Sequence, residues 1–190
     1  MDVKGIIKES ARLKQVLLAD AAMLENLEAL IAATANSYRN GGKTLFCGNG
    51  GSAADAQHLA AELSGRFYFD RKPLDAEALH VNTSYLTAVA NDYAYDEVFA
   101  RLVEAKGKKG DILFALSTSG NSPNVVRALE TARAKEMITA GFTGNKPCKM
   151  DALCDYLFKM PTDDTPRIQE LHILQGHIIC QGIEESLFLK

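Results

Sequence analysis

Short apolar runs alternate with longer amphipathic segments along most of this chain. Five runs rich in β-forming residues are predicted as strands, at 43–47, 78–81, 111–116, 138–142 and 156–160. Helical spacing between these runs predicts helices at 52–64, 84–91, 95–105 and 122–135. Because strands that alternate with helices form parallel sheets covered on both faces, the pattern predicts an α/β fold, a three-layer α/β/α sandwich around a five-stranded parallel sheet.

Two further amphipathic helices, at 3–38 and 167–189, flank this unit. The first is too long for a small sheet to cover, so we expect part of it to pack against another copy of the chain in a homo-oligomer. We therefore predict a single domain over 1–190. It comprises an N-terminal helical arm for oligomer packing at 1–40, an α/β core at 41–165 and a C-terminal helix at 166–190.

The composition of the chain suits one domain and gives no sign of a membrane or nucleic-acid partner. The sequence has 190 residues, of which 47% are hydrophobic, and its formal net charge is −3. That charge gives no global attraction to DNA, RNA or an acidic membrane surface. The sequence contains no apolar run of transmembrane length. The charged segment 1–11 also has no apolar core of signal-peptide length, so we expect a cytoplasmic protein. The four cysteines form no C-x-x-C pair, which favours reduced core thiols over disulfides or a thiolate metal site.

Two loops rich in glycine and serine follow predicted strands. The run GNGGS at 48–52 and the run STSGNSP at 117–123 each lead into a predicted helix, where free backbone N–H groups meet a positive helix end. Ser122 suits the N-cap of the second helix and Pro123 its first turn. Both loops are expected at the carboxyl edge of the sheet, where they can bind a phosphate, although each sequence also suits a simple tight turn. A dinucleotide site is disfavoured, because the second strand ends without an acidic residue.

Two helices carry side chains that suit a metal site or proton transfer. His58 and Glu62 are spaced i, i+4, so their side chains lie on one face of the helix. Gln169 and His177 share a stripe on the last helix. These residues form one site only if the two helices meet; otherwise His58 and Glu62 are an ordinary solvated pair.

Several motifs, taken in order, resemble those of the phosphoheptose isomerases, which belong to the SIS (sugar isomerase) domain family. They are CGNGGS at 47–52, DAQH at 55–58, ELSGR at 62–66, AND at 90–92, STSGNS at 117–122 and RIQELH at 167–172. The resemblance covers nearly the whole chain. It implies a flavodoxin-like or Rossmann-like SIS fold and a homotetramer that isomerises sedoheptulose 7-phosphate to D-glycero-D-manno-heptose 7-phosphate. This reaction is the first step toward nucleotide-activated heptose.

The resemblance also implies roles for individual residues. The expected zinc ligands are His58, Glu62, Gln169 and His177, and the expected catalytic residues are Glu62 and His177. The expected substrate contacts are Asn49, Gly50, Gly51, Ser52, Asn91, Asp92, Ser117, Thr118, Ser119, Ser122 and Gln169. The turn at 143–147 and Pro166 depart from the family pattern, which leaves the shape of the loops before the last helix open.

The chemistry expected of this site is proton transfer between neighbouring carbons. A carboxylate and an imidazole on opposite sides of a carbon pair can move a carbonyl between C2 and C1 through an enediol. The alternative is a non-catalytic SIS protein that binds a replication-initiator partner, or an SIS isomerase or binder of another sugar phosphate. Glu62 and His177 favour the enzyme, because the replication-initiator-associating proteins generally lack these residues.

Overall fold

A computed structural model describes residues 1–189 of the chain, and Lys190, the last residue of the predicted C-terminal helix, lies outside it. The helices are α1 (Val3–Ala19), α2 (Ala21–Arg39), α3 (Gly51–Ser64), α4 (Thr83–Asp92), α5 (Ala100–Lys106), α6 (Pro123–Ala134) and α7 (Thr165–Phe188). The strands are β1 (Thr44–Gly48), β2 (Ala76–Ala78), β3 (Ile112–Leu116), β4 (Ile138–Thr143) and β5 (Tyr156–Lys159). Two short 3-10 turns lie at Tyr95–Glu97 and Lys149–Ala152.

The five strands form one parallel sheet in the order β2-β1-β3-β4-β5, which confirms the predicted fold class. Alternate residues of each strand face opposite sides of the sheet. Phe46 and Phe114 lie side by side in the register and stack in the core beneath α1, α2, α3 and α7. Leu45 and Leu113 pack on the other side, against α4, α5 and α6. The chain thus forms three layers, as the strand pattern predicts.

Three predicted boundaries are wrong. The single helix predicted at 3–38 is two helices, because Asp20 ends α1 and its carboxylate caps α2 by accepting a hydrogen bond from the Met23 N–H. The segment predicted as one helix at 95–105 divides into a 3-10 turn and the short α5. The second strand occupies Ala76–Ala78 rather than 78–81, since it pairs with β1 only as far as the partners Phe46 and Ala78.

The strand order places a crossover point between β1 and β3. From β1 the chain continues to β2, at one edge of the sheet, whereas from β3 it continues to β4 and β5, toward the opposite edge. Loops at such a point leave a crevice beside the carboxyl ends of the strands, which is where open α/β sheets bind ligands. Both glycine and serine loops begin there, as predicted. None of the helices within residues 1–189 is both long and apolar enough to cross a membrane.

Candidate active site

Three serine hydroxyls converge in the loop that follows β3. The Oγ atom of Ser117 lies 3.0 Å from that of Ser122 and 3.4 Å from that of Ser119. Gly120, at φ +64°, turns the loop back on itself in a conformation that favours glycine. Ser122 occupies the N-cap position of α6, as predicted, but its hydroxyl is directed to Ser117. The loop therefore presents hydroxyl groups beside a helix N-terminus, an arrangement suited to a phosphate.

The first glycine loop is held against the start of α6. Gly50, at φ +57°, makes the turn into α3. The amide of Asn49 exchanges two hydrogen bonds with the buried amide of Asn124, each 2.9 Å long. The hydroxyl of Tyr95 donates a third hydrogen bond to Oδ1 of Asn49, at 3.1 Å. These contacts join the two loops into one rigid edge of the crevice.

A cavity of about 280 Å³ lies beside the serine loop. It is enclosed by the loops that follow β3, β4 and β5, and Lys146 pairs with Asp163 at 3.2 Å on its wall. A cavity of this size suits a small polar molecule. The residues that line it include Thr118, Ser119, Asn121, Gly144, Asn145, Lys146, Asp163 and Thr165.

His58, Glu62 and His177 form a compact group on the neighbouring helices α3 and α7. Nε2 of His58 lies 2.9 Å from Nε2 of His177 and 3.3 Å from Oε1 of Glu62. One ligand atom from each residue falls within 4.8 Å of the other two. The side chain of His58 is 47% exposed, so the group is open to solvent. The structure thus brings together three of the four side chains that the two helices were predicted to contribute.

The triad exists because α3 and α7 run side by side in the same direction. Gly176 faces Leu59 so closely that a Cβ atom there would lie 2.6 Å from its Cδ atoms. The side-chain amide of Gln169, two turns before Gly176 on α7, packs in the same way against Gly51 at the start of α3. Glycine at these two points allows the close approach, and the approach brings His177 next to His58.

Burial and charge both act on the imidazole of His177. Partial burial lowers its pKa, the neighbouring His58 lowers the pKa further, and the carboxylate of Glu62 opposes both effects. A lowered pKa keeps the imidazole of His177 neutral at pH 7. A neutral imidazole can bind a metal ion or accept a proton.

The other predicted residues lie in two places. Gln169 lies at the first glycine loop, about 10 Å along the helix axis from the level of His58, at 1.5 Å per residue. Asn91 and Asp92 are exposed at the end of α4, where the amide of Asn91 donates a hydrogen bond to Asp92. Ser52 is buried at the start of α3. The assignments of these residues to substrate or metal stay predictions.

Sequence reasoning missed several residues that build the site. Asn124 and Tyr95 join the loops, and the ring of Phe67 lies 5.7 Å from that of His177. Asn124 directly follows Pro123 at the start of a predicted helix. A polar side chain at that position, next to the serine loop, was a usable signal for a hydrogen bond to a neighbouring loop. Phe67 lies in a segment without a regular pattern. Tyr95 begins the helix predicted at 95–105, and helical spacing gives no sign of its contact with Asn49.

His172 lies on the same helix as His177 and faces the core. It is fully buried, its Nε2 is 3.3 Å from the carbonyl oxygen of Thr143, and its ring meets Phe142 edge-on. Burial lowers the pKa of His172 to about 4. His172 therefore belongs to the core and is not part of the group that His177 forms with His58 and Glu62.

Comparison with protein families and curated proteins gives consistent relatives. A model of the SIS domain matches residues 8–144. A phosphoheptose isomerase of Burkholderia pseudomallei is 50% identical over 188 residues, which cover 99% of this chain and 95% of that protein. A phosphoheptose isomerase of Aneurinibacillus thermoaerophilus is 48% identical over 186 residues, or 98% of this chain and 94% of that protein.

Solved structures give the same result. The structure of a phosphoheptose isomerase from Neisseria gonorrhoeae superposes with a TM-score of 0.90 at 41% sequence identity, covering 96% of this chain and 97% of that chain. One from Francisella tularensis superposes with a TM-score of 0.91 at 33% identity, covering 97% of each chain.

Proposed function

We infer how the residues of this chain carry out an aldose–ketose isomerisation. The chain belongs to the SIS domain family and, within it, to the phosphoheptose isomerases. The reaction converts sedoheptulose 7-phosphate to D-glycero-D-manno-heptose 7-phosphate, the first step of nucleotide-activated heptose biosynthesis. Two observations carry the proposal: the triad of His58, Glu62 and His177 on α3 and α7, and the serine hydroxyls that converge at the crevice.

Glu62 and His177 are proposed as the catalytic pair. In this scheme, Glu62 removes the proton from C1 of the ketose and returns it at C2, and His177 moves protons on the substrate oxygens. Removal of the C1 proton forms the C1=C2 double bond of the enediol as the C2 oxygen gains a proton. Protonation of C2 and loss of the proton from the C1 oxygen then leave the carbonyl on C1. The neutral imidazole of His177, kept so by its lowered pKa, is in the form that this role requires.

A zinc ion fits the donor atoms of the triad. Two imidazole nitrogens and one carboxylate oxygen within 4.8 Å of one another are ligands that zinc prefers. When bound, a zinc ion would supply Lewis-acid chemistry at this site, the polarisation of a substrate carbonyl. We propose His58, Glu62 and His177 as ligands, together with Gln169, whose amide must then turn from Gly51 toward the triad.

The phosphate of the substrate is proposed to bind the serine loop. Ser117, Thr118, Ser119 and Ser122 supply hydroxyls, and Asn49, Gly50, Gly51 and Ser52 supply polar groups on the facing loop. Binding energy gained at the phosphate positions the reacting carbons. The remaining proposed substrate contacts are Asn91, Asp92 and Gln169.

A homotetramer is proposed from the surface of the N-terminal arm. Helix α1 buries only Leu13 and Leu17, and it exposes a row of large apolar side chains. Burying such a row in a contact between copies is favourable. We propose that 1–40 packs between subunits, with 41–165 and 166–190 completing one domain. The exposed apolar residues are Val3, Ile6, Ile7, Val16 and Leu18.

We also propose a cytoplasmic location for the protein. Its four cysteines carry free thiols, which suits a reducing compartment. No nucleic-acid or membrane partner is proposed.

The test of the catalytic assignment is hydrogen exchange during turnover. Purified protein is incubated with sedoheptulose 7-phosphate in deuterated water, and product formation and deuterium uptake at C2 are followed by NMR. We expect both signals in the wild type, their loss in Glu62→Gln, and their retention in Glu130→Gln, an exposed control on α6. Unchanged exchange in Glu62→Gln would remove the proposed base.

The role of the metal is tested in the same assay. Treatment with a chelator followed by zinc should abolish and then restore exchange. The alternative function, binding of a replication-initiator partner without catalysis, predicts no exchange under any metal condition.

A further inference from the structure

An Arg–Glu pair is buried just beyond the triad. Nε of Arg71 lies 2.9 Å from Oε1 of Glu184, and the two side chains are 2% and 0% exposed. Burial raises the pKa of Glu184, but the amides of Tyr68, Phe67 and Phe69 and the guanidinium of Arg71 outweigh that effect and leave its pKa below the usual value. The carboxylate is therefore charged at pH 7.

Arg71 fixes the end of α3, where Glu62 lies. Its guanidinium donates hydrogen bonds to the carbonyl oxygens of Glu62, at 2.8 Å, and Leu63, at 2.7 Å. It donates another to the carbonyl of Gly65, at 3.0 Å. Carbonyl groups in the last turn of a helix have no partner within the helix, so Arg71 supplies theirs. The backbone that carries Glu62 is thereby held in place.

Glu184 fixes the loop that covers His177. It lies on α7, two turns beyond His177, and its carboxylate accepts hydrogen bonds from the backbone N–H groups of Phe67, Tyr68 and Phe69 at 3.2, 2.7 and 3.1 Å. The ring of Phe67 lies against the ring of His177. One carboxylate therefore sets both the course of this loop and the aromatic wall of the imidazole.

We propose that Arg71 and Glu184 are positioning residues for the isomerisation, holding Glu62 on α3 and His177 on α7 at the separation that catalysis requires. The proposal rests on the assignment of Glu62 and His177 as the catalytic pair. Neither Arg71 nor Glu184 touches the substrate in this scheme, and both act through the backbone of Glu62 and the ring of Phe67.

Stability alone is a poor explanation for this pair. The cost of removing two charges from water offsets much of their attraction, and well-packed apolar residues stabilise a core at least as well. The hydrogen bonds of this pair, in contrast, connect the ends of the two helices that carry the triad. Because hydrogen bonds are directional, those of Arg71 and Glu184 fix the orientation of α3 relative to α7 more closely than apolar packing would.

The test compares Glu184→Gln with Asp111→Asn. Asp111 is a matched control because it is also a buried carboxylate that accepts backbone hydrogen bonds, from Lys43 and Lys108, and pairs with the ammonium of Lys43 at 3.1 Å. It precedes β3, at the opposite end of the sheet from the crevice. Each variant is measured for its melting temperature, for kcat and KM on sedoheptulose 7-phosphate, and for zinc affinity by competition with a fluorescent chelator.

We expect both variants to lose thermal stability and only Glu184→Gln to lose catalysis. Its kcat should fall about 10- to 100-fold and its zinc dissociation constant should rise by a similar factor, as is typical when a group that orients metal ligands is changed. KM should stay within about twofold, because the serine loop is untouched. A merely structural role would lower the stability of both variants alike and leave both kcat values near that of the wild type, which would overturn the proposal.

Two further variants keep the result interpretable. Arg71→Lys keeps the charge but cannot make all the hydrogen bonds of Arg71, so it should show the same selective loss of kcat even if Glu184→Gln fails to fold; normal kcat in Arg71→Lys then decides against the proposal. Glu62→Gln separates a failure of the catalytic assignment from a failure of the positioning role. If it is active, the catalytic assignment fails; if it is inactive while folded Glu184→Gln is fully active, only the positioning role fails.

Discussion

The serine loop at 117–122 and the triad of His58, Glu62 and His177 differ in how far apart their residues lie in the chain. The hydroxyls of the loop come from one six-residue segment, in which Ser117 contacts both Ser119 and Ser122. The triad joins residues 119 positions apart, His58 and His177, and exists only because two helices meet. The proposed phosphate-binding loop is therefore encoded locally, whereas the proposed catalytic triad depends on the packing of α3 against α7 on one face of the sheet.

The largest effect expected from this difference is in the triad. His177→Gln should lower kcat by about 10²- to 10⁴-fold, the contribution typical of a proton-transferring group. The melting temperature should stay close to that of the wild type, because the side chain is partly exposed. Steady-state kinetics and thermal unfolding check the two halves of this prediction. Activity within tenfold of the wild type would show that His177 transfers no essential proton.

The second effect concerns His172, which α7 carries against Phe142 and Thr143 of β4. Its pKa is lowered to about 4 by burial, so below pH 6.5 the unfolded chain takes up a proton that the folded protein resists. Stability should therefore rise with pH between about 4 and 6.5, by about 3 kcal/mol for this group.

Urea unfolding across that pH range checks the sign. His172→Gln should show a smaller rise than the wild type, and kcat relative to folded protein should change little. Equal pH slopes in the two proteins would mean that His172 is not the buried base that the contact with Thr143 indicates.

A third effect sharpens the assignment of the serine loop. Ser119→Ala removes one hydrogen bond to a charged group, worth about 1.5–3 kcal/mol, so KM should rise about 10- to 100-fold with kcat nearly unchanged. Ser84→Ala, an exposed serine on α4, is the control. If Ser119→Ala lowered kcat and spared KM, phosphate binding and catalysis would not be divided between the two regions as described.

The smallest effect tests the approach of α3 and α7. Gly176→Ala adds a methyl group that presses on Leu59, and separating the helices slightly should lower kcat about tenfold, an amount equivalent to about 1.4 kcal/mol. The double variant Gly176→Ala/Leu59→Ala restores the space and should recover part of the activity. Kinetics of the single and double variants measure this coupling, and additive losses would exclude it.

The strands and loops were predictable because their signals are local. Each of these signals occupies only a few consecutive residues. They are the five apolar runs, the two glycine and serine loops, and Pro123 at a helix start. The break at Asp20 was missed because the apolar stripe continues through it, although Asp20 is a helix-capping residue. The shortened β2 depends on pairing with β1, which no pattern in 76–81 reveals.

The candidate site was predictable only in part. Spacing placed His58 with Glu62 and placed Gln169 on the stripe of His177, but the meeting of the two helices depends on close packing at Gly51 and Gly176. Arg71 and Glu184 are separated by more than a hundred residues, so their contact cannot be found from spacing. Long-range contacts of this kind are set by the assembled core.

The parallel run of α3 beside α7 also limits how the length of this chain can change. Inserting one residue into an α-helix turns everything beyond it by about 100° and advances it by about 1.5 Å. One insertion between Gly51 and Glu62, or between Gln169 and His177, would therefore turn a triad side chain away from its partners. An insertion at the exposed turn 145–147 would leave both helices aligned, so we expect its effect to be confined to the cavity wall that this turn forms.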